Sequence, residues 1–282
     1  MSTSTPYCHL IVFGRYPAVG TTKTRLIPAL GPAGAAALGQ RLTEKTVATA
    51  RRAAAGKAVQ LVFCHDGGPA ARIERWLGCT DIDHVSQASG DLGQRMFQAM
   101  QTAFDRGAGR VVLVGTDIPN LDAAALQTAV DRLADHDLVL GPSTDGGYWL
   151  VGMSRLTDIF TGIAWGTSEV LAGTLALARR NGMRTCLLEP LADIDTPDDL
   201  ARLTGGRQLS RPYLSVVIPA LNEAGRIGGT LAAAACTDAQ LIVADGGSTD
   251  GTVAIARAHG ARVVHAKRGR APTTDDVRVL QH

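Results

Sequence analysis

Short, unbroken apolar runs alternate with helix-patterned stretches along most of this chain, and that alternation restricts the fold more than any other feature. The runs are Cys8–Phe13, Val59–Cys64, Arg110–Gly115, Leu138–Leu140, Tyr148–Val151 and Arg184–Leu188. Most are continuously apolar rather than alternating, the mark of strands buried on both faces. Between them lie helical patterns from Gly31 to about Ala55, about Pro69–Leu77, a stretch carrying Asp91–Met96, about Asp122–Ala134, about Ser168–Asn181, and a short helix from Pro197. Such an order predicts an α/β fold: a mostly parallel sheet with helices on both faces and ligands beyond the carboxyl ends of the strands. The polar and glycine-rich segments fall at those ends.

Around Thr204–Pro212 (TGGRQLSRP) the pattern breaks into a linker-like segment. It resumes with strands at Tyr213–Ile218, Leu241–Ala244 and Arg262–His265 and helices at about Glu223–Ala235 and Thr252–His259. The expected organisation is a domain over 1–205, a linker over 206–212, a short α/β fragment over 213–270 and an irregular tail over 271–282. The fragment holds too few βα units for an ordinary parallel-sheet domain.

Composition narrows the partners. Lys and Arg total 28 against 26 Asp and Glu, a net charge of +2, which cannot supply the basic field of a nucleic-acid binder. No apolar stretch approaches the roughly 18–20 residues of a membrane span, and Met1–Pro6 does not read as a secretory signal. Five cysteines (Cys8, Cys64, Cys79, Cys186, Cys236), an odd number with no C-x-x-C spacing, argue against a disulfide framework and for reducing cytoplasm.

Four segments carry chemistry. Gly14–Arg25 (GRYPAVGTTKTR) follows the first strand. Gly20 lets backbone N–H groups approach a bound group, and Lys23 and Arg25 add the charge that suits a polyphosphate. Its spacing is not that of a P-loop. Asp117, in Gly-Thr-Asp-Ile-Pro at a strand tip, is placed to hold a divalent cation beside phosphates. Asp145-Gly146-Gly147-Tyr148-Trp149 combines a turn signal with two aromatics, one of which must face the core. In Asp193-Ile194-Asp195-Thr196-Pro197 the two acids lie two apart in extended chain, so they project together with Ile194 turned inward. Thr196, Pro197 and Asp199 read as a helix start, which leaves Asp193 and Asp195 for metal or phosphate chemistry. Trp165 is a candidate wall of an acceptor pocket, with core packing as the plain alternative. Cys64-His65-Asp66 looks triad-like, but adjacent strand residues face apart, and it reads as structural.

Taken in order, P-x-x-G-x-x-K-T-R-L (Pro17–Leu26), D-L-G-Q-R-M (Asp91–Met96), G-T-D-I-P (Gly115–Pro119), G-P-S-T-D-G-G-Y-W-L-V-G (Gly141–Gly152) and D-I-D-T-P-D-D-L (Asp193–Leu200) resemble the rSAM/selenodomain-associated transferase 1 family. That is a GT-A-fold, nucleotide-diphospho-sugar-transferase-like group, and the resemblance covers about residues 7–204. The same order is also similar to phospholactate guanylyltransferases and, more distantly, to molybdopterin cofactor guanylyltransferases. The resemblance implies a sheet of about seven strands, a divalent cation (Mg²⁺ or Mn²⁺), and nucleotide handling by Gly20, Lys23, Arg25, Asp91 and Arg95. Asp117, Asp193 and Asp195 become the candidate metal ligands, Asp117 and Asp145 the candidate catalytic acids, and Tyr148 and Trp165 the candidate acceptor pocket. L-S-V-V-I-P-A-L-N-E (Leu214–Glu223) and A-D-G-G-S-T-D-G-T (Ala244–Thr252) look like the start of a family 2 glycosyltransferase. There, Pro219, Asn222, Glu223 and Asp245 would frame a base and ribose. The later acidic motif and catalytic base of that family are absent, so this second site is expected to be vestigial.

The expected function is metal-dependent transfer from a nucleotide-activated donor to a small-molecule acceptor. Glycosyl transfer from an NDP-sugar comes first, nucleotidyl transfer from an NTP second, and a non-catalytic nucleotide-binding scaffold third.

Overall fold

The computed structural model describes residues 8–78, 80–203, 215–234 and 240–266. The chain divides into two units, Met1–Leu203 and Thr204–His282. The expected linker and tail lie outside the described residues, as do Cys79 and Cys236.

In unit one the apolar runs become strands: β1 (Cys8–Arg15), β2 (Val59–Asp66), β4 (Arg110–Gly115), β5 (Leu138–Pro142), β6 (Tyr148–Met153) and β7 (Thr185–Leu187). A further strand, β3 (Asp83–Ser86), falls where the sequence pattern indicates none. Its residues, Asp-His-Val-Ser, are mostly polar because it is an edge strand paired only to β2, and a polar edge resists pairing with other chains. The sheet has seven strands in the order β3-β2-β1-β4-β6-β5-β7. Only β6 runs antiparallel to its neighbours β4 and β5; the other pairings are parallel.

Alternate residues of each central strand feed two cores. Leu10, Val12, Leu61, Phe63, Val112 and Val114 pack under helices α1 (Ile27–Ala54), α2 (Ala70–Leu77) and α4 (Ala123–Arg132). Ile11, Val62, Val111, Leu113, Val151 and Met153 pack under α3 (Leu92–Asp105) and α5 (Val170–Arg180). Both faces are covered, which is why the strands carry no polar alternation. A last helix, α6 (Pro197–Leu203), closes the unit. Helix α1 starts before the expected Gly31 and is broken there: Gly31 adopts φ 70°, ψ 165°, a turn an L side chain resists.

The strand order reverses between β1 and β4. Connections leave β1 toward β2 on one side and β4 toward α4 on the other, so a crevice opens beyond their carboxyl ends. Space is tight there: a Cβ on Gly14 would lie 2.9 Å from Thr116 Cγ2, so the chains leaving β1 and β4 are in close contact.

Unit two holds three parallel strands in the order β10-β9-β8, with β8 (Ser215–Ala220), β9 (Gln240–Asp245) and β10 (Arg262–His265). Helices α7 (Ile227–Ala234) and α8 (Thr252–Ala258) cover a small core that includes Ile227, Leu231, Val243 and Ala256. No helix among the described residues is long and apolar enough to cross a membrane.

Unit one has its own sheet and two cores, so a chain ending at Leu203 is expected to unfold cooperatively at the urea midpoint of unit one in the full chain. Loss of that cooperative transition would show that unit one depends on residues beyond it.

Candidate active site

The loop after β1 is folded tightly onto α1. Thr21 and Thr22 donate their backbone N–H groups to the Ala18 carbonyl, at 3.3 and 3.1 Å, and Ala18 N–H donates to Thr22 Oγ1 at 2.9 Å. Thr22 presses on Gly39 of α1, where a Cβ would come within 2.5 Å of its methyl group. Leu26 is fully buried and anchors the short 3-10 turn Thr24–Leu26. Between these anchors Lys23 is forced into the left-handed region (φ 51°, ψ 46°), which costs a non-glycine residue on the order of 1 kcal/mol.

That backbone sends the Lys23 side chain inward. Only 5% of it is exposed. Its Nζ lies 2.9 Å from Asp117 Oδ1 and 3.8 Å from Asp195 Oδ1, and donates to the Ile194 carbonyl. Arg25 Nη1 donates to Asp195 Oδ2 at 2.6 Å. Asp117 arrives from the tip of β4. Ile194 is 1% exposed and donates its N–H to the Asp117 carbonyl at 3.0 Å, so the 193–195 segment is stitched to the same tip. Behind it, Thr196 and Asp199 form the expected helix start: Thr196 N–H donates to Asp199 Oδ2 at 2.7 Å, and Asp199 N–H to Thr196 Oγ1 at 3.3 Å. Three distant sequence positions therefore meet at one point.

A cavity of about 510 Å³ opens there, within the usual size of a small-ligand site. Lys23, Arg25, Asp117, Asp193 and Asp195 line one part of it. Asp193 is half-buried, and burial, followed by the nearby Asp145 carboxylate, holds its carboxyl above the usual carboxylate range.

A second charged cluster lies in the cavity wall, and of its members the sequence singles out only Arg95. Arg15 Nη2 lies 2.9 Å from Asp66 Oδ2, and Arg95 Nη1 lies 3.5 Å from the same oxygen. Gln87 donates through Nε2 to the Gly14 and Cys64 carbonyls, at 2.8 and 3.1 Å, which fixes its Oε1 as an acceptor for Arg95 Nη1 at 2.9 Å. Arg95 Nε is buried without a hydrogen-bond partner. Asp66 thus lines the cavity, while its neighbour His65 is buried and bonded locally to the Gly67 carbonyl, 3.1 Å away.

Four expected site residues are not among those lining the cavity: Gly20, Asp91, Asp145 and Trp165. Gly20 serves the loop's turn, with φ 86°. Asp91 caps α3: Gln94 N–H donates to its Oδ1 at 2.8 Å and its own N–H donates to Gln94 Oε1 at 3.0 Å, a reciprocal capping box. Asp145 accepts from Gly147 N–H at 2.9 Å in the turn before β6, and its charge acts on Asp193. Trp165 packs against Phe160 and Tyr148, with ring centroids 6.3 Å away in each case, and against Gly93 of α3. Tyr148 does line the cavity, as does Trp149, and the two feed opposite cores as neighbours on a strand must.

Carboxylate oxygens are hard donors that suit Mg²⁺ or Mn²⁺. Among the described residues no three His, Cys, Asp or Glu are grouped to hold a metal ion. Asp117 and Asp195 close instead on the Lys23 ammonium. Two carboxylates around one cation do fit a site in which magnesium keeps waters and takes further oxygens from phosphates.

In unit two, the expected second site is tied up in loop contacts. Asp245, 1% exposed, accepts from Gly247 and Ser248 N–H groups at 3.2 and 3.1 Å. A hydrogen bond from the Ser248 side chain, seconded by those N–H groups, holds its carboxyl below the usual range, and His265 Nδ1 lies 3.6 Å away. Asn222, at φ 55°, accepts from Thr249 N–H at 2.9 Å, and Glu223 N–H donates to Thr252 Oγ1 at 2.8 Å. Pro219 is exposed on β8, beside Ala244.

Comparison with known proteins agrees with this architecture. Residues 34–167 match the family described as an uncharacterized protein conserved in bacteria (DUF2064), and residues 215–274 match glycosyl transferase family 2. A solved structure from Desulfovibrio desulfuricans G20, provisionally assigned as a nucleotide-diphospho-sugar transferase, is 34% identical. The match covers 73% of this chain and 90% of that one, with a TM-score of 0.65. Through unit one, the chain belongs to this GT-A-like family of nucleotide-diphospho-sugar-transferase-like proteins. A curated relative, 2-phospho-L-lactate guanylyltransferase of Methanopyrus kandleri, is 32% identical over 117 residues, 39% of this chain. The chain spans 58% of the length of that relative.

Because folded Asp193 holds its proton more tightly than an ordinary carboxyl, it stabilises the fold below the unfolded-state pKa and loses that contribution as pH rises through its folded value. Asp193→Asn is expected to raise the melting temperature at pH 7, with the gain fading on acidification. A melting temperature unchanged or lowered at pH 7 would contradict this account.

Proposed function

We propose that unit one is a nucleotidyltransferase that moves a nucleoside monophosphate from an NTP to a phosphorylated small-molecule acceptor. The observation that carries this reading is the gathering of four cationic side chains, Arg15, Lys23, Arg25 and Arg95, on one cavity of nucleotide size. Four such donors, set beside Asp66, Asp117, Asp193 and Asp195 on the same cavity, suit a triphosphate and a released pyrophosphate better than a single sugar diphosphate. The unpartnered Arg95 Nε is the kind of buried donor that a ligand oxygen satisfies. The guanylyltransferase relative points the same way.

In this reading Lys23 and Arg25 offset charge on the transferred and leaving phosphates. The Arg15–Asp66–Arg95–Gln87 cluster orients the rest of the nucleotide. Asp117, with Asp195 or Asp193, would hold a divalent cation, which supplies Lewis-acid polarisation of the phosphates. Tyr148 contributes to the wall that receives the acceptor, and Trp165 supports it from behind. The closer affiliation with the transferase 1 family remains part of the proposal.

Glycosyl transfer from an NDP-sugar is the second reading, favoured by the assignment of the Desulfovibrio relative and by the family 2 glycosyltransferase match in unit two. It was the first expectation from sequence; the count of cations in the cavity moves the weight to nucleotidyl transfer. Incubation with Mg²⁺ or Mn²⁺ and separate pools of NTPs and NDP-sugars distinguishes the two. Release of pyrophosphate is expected, and release of NDP would establish the second reading. Lys23→Ala is expected to lower kcat/KM by roughly 10²-fold or more, the usual effect of losing one transition-state donor. Unchanged turnover in Lys23→Ala, Asp117→Ala and Asp195→Ala would leave only a non-catalytic scaffold.

A further inference from the structure

We propose that Lys23 is the resident counter-ion of the site: its ammonium keeps the Asp117–Asp195 pair closed to divalent cations until nucleotide phosphates draw it away. Metal binding then follows nucleotide binding. The inference rests on the nucleotide reading above and adds an order of events to it.

The geometry supports this on three counts. An ammonium has three donors; Lys23 directs one to Asp117 Oδ1 at 2.9 Å and one to the Ile194 carbonyl, and Asp195 Oδ1 lies within ion-pair reach at 3.8 Å. The Lys23 side chain is 5% exposed, whereas those of Asp117 and Asp195 are 48% and 37% exposed. A divalent ion approaching these carboxylates would meet an ammonium 2.9 and 3.8 Å from their oxygens. It would also find the acids already neutralised, because Arg25 takes the second oxygen of Asp195 at 2.6 Å. The repulsion between an ammonium and a divalent ion this close is substantial, although Asp193 adds a third carboxylate to this part of the cavity.

A polyphosphate reverses that balance. It offers Lys23 and Arg25 a stronger partner, leaves Asp117 and Asp195 without compensation, and brings further oxygens for the metal. The long, flexible lysine stem permits the exchange, and its compact charge suits either partner. The backbone is prepared for it as well. Lys23 is held at φ 51° by the turn it opens, where Leu26 N–H donates to the Lys23 carbonyl at 2.8 Å. A left-handed lysine kept in place by its surroundings is a conformation the loop has reason to leave.

The test is Mn²⁺ binding to the full-length protein without nucleotide, followed by the loss of the free-ion electron paramagnetic resonance signal. The wild type is compared with Lys23→Met and with Lys23→Gln, which keeps an amide donor for the Ile194 carbonyl. The neutral variants are expected to bind Mn²⁺ at least tenfold more tightly than the wild type, and adding Asp117→Asn should remove the gain. Melting curves establish that each variant is folded, and should Lys23→Met fail to fold, Lys23→Gln decides. Equal Mn²⁺ affinity in wild type and variants would overturn the proposal, as would failure of any folded variant to bind. A parallel titration of the wild type with magnesium nucleotides keeps the two ideas apart. Absence of nucleotide binding would sink the nucleotide reading, whereas nucleotide binding with equal Mn²⁺ affinities would sink only the role given to Lys23.

Discussion

The buried ammonium of Lys23 is the contact on which the architecture of the site depends. A charge that is 5% exposed must be paired and hydrogen-bonded, or its burial is prohibitive. Its partners come from the tip of β4 and from the segment ahead of α6, so one side chain ties the first loop to two acids far along the sequence. Remove it and Asp117 and Asp195 would face each other with only Arg25, itself largely exposed, to offset them. The fold places these segments together because β1 and β4 are neighbours where the sheet reverses its order.

From that point the cavity reads as two charged clusters along one wall. One combines flexible cations with several acids and suits a phosphate–metal assembly. The other is more rigid: Asp66 lies between two guanidiniums, and Gln87 is pinned by two backbone carbonyls. Such fixed polar groups, each with a defined donor or acceptor role, are suited to orienting a ligand. The cores that flank the sheet supply the rigidity, since the cavity floor is made from the same strands that fill both cores.

Much of this was legible in the sequence, for physical reasons. Strands buried on both faces announce themselves as unbroken apolar runs, so β1, β2 and β4 to β7 could be placed, along with the crevice at their ends. Asp193 and Asp195 share a face because extended chain repeats every two residues, and both do line the cavity. What stayed hidden depended on tertiary pairing. β3 is a polar edge strand with no apolar run to betray it, and Gln87 follows it, so only Arg95 of the Gln87–Arg95–Asp66–Arg15 cluster was singled out, through the Asp91–Met96 motif. The depth of Lys23 arises from a left-handed backbone and a helix packed at Gly39, neither visible in a basic loop. Asp91 is a different matter: Asp-x-x-Gln ahead of an apolar helix is itself a capping signal. Trp165 likewise follows the plain alternative of packing against its aromatic neighbours.

The measurement that bears most directly on the whole account is a residue-by-residue map of amide chemical-shift changes on titration with magnesium nucleoside triphosphates. The account predicts changes concentrated at residues 14–25, 66, 87–95, 115–117 and 193–195, the lining of one crevice. Saturable changes centred elsewhere in the chain, or none with any nucleotide, would contradict it.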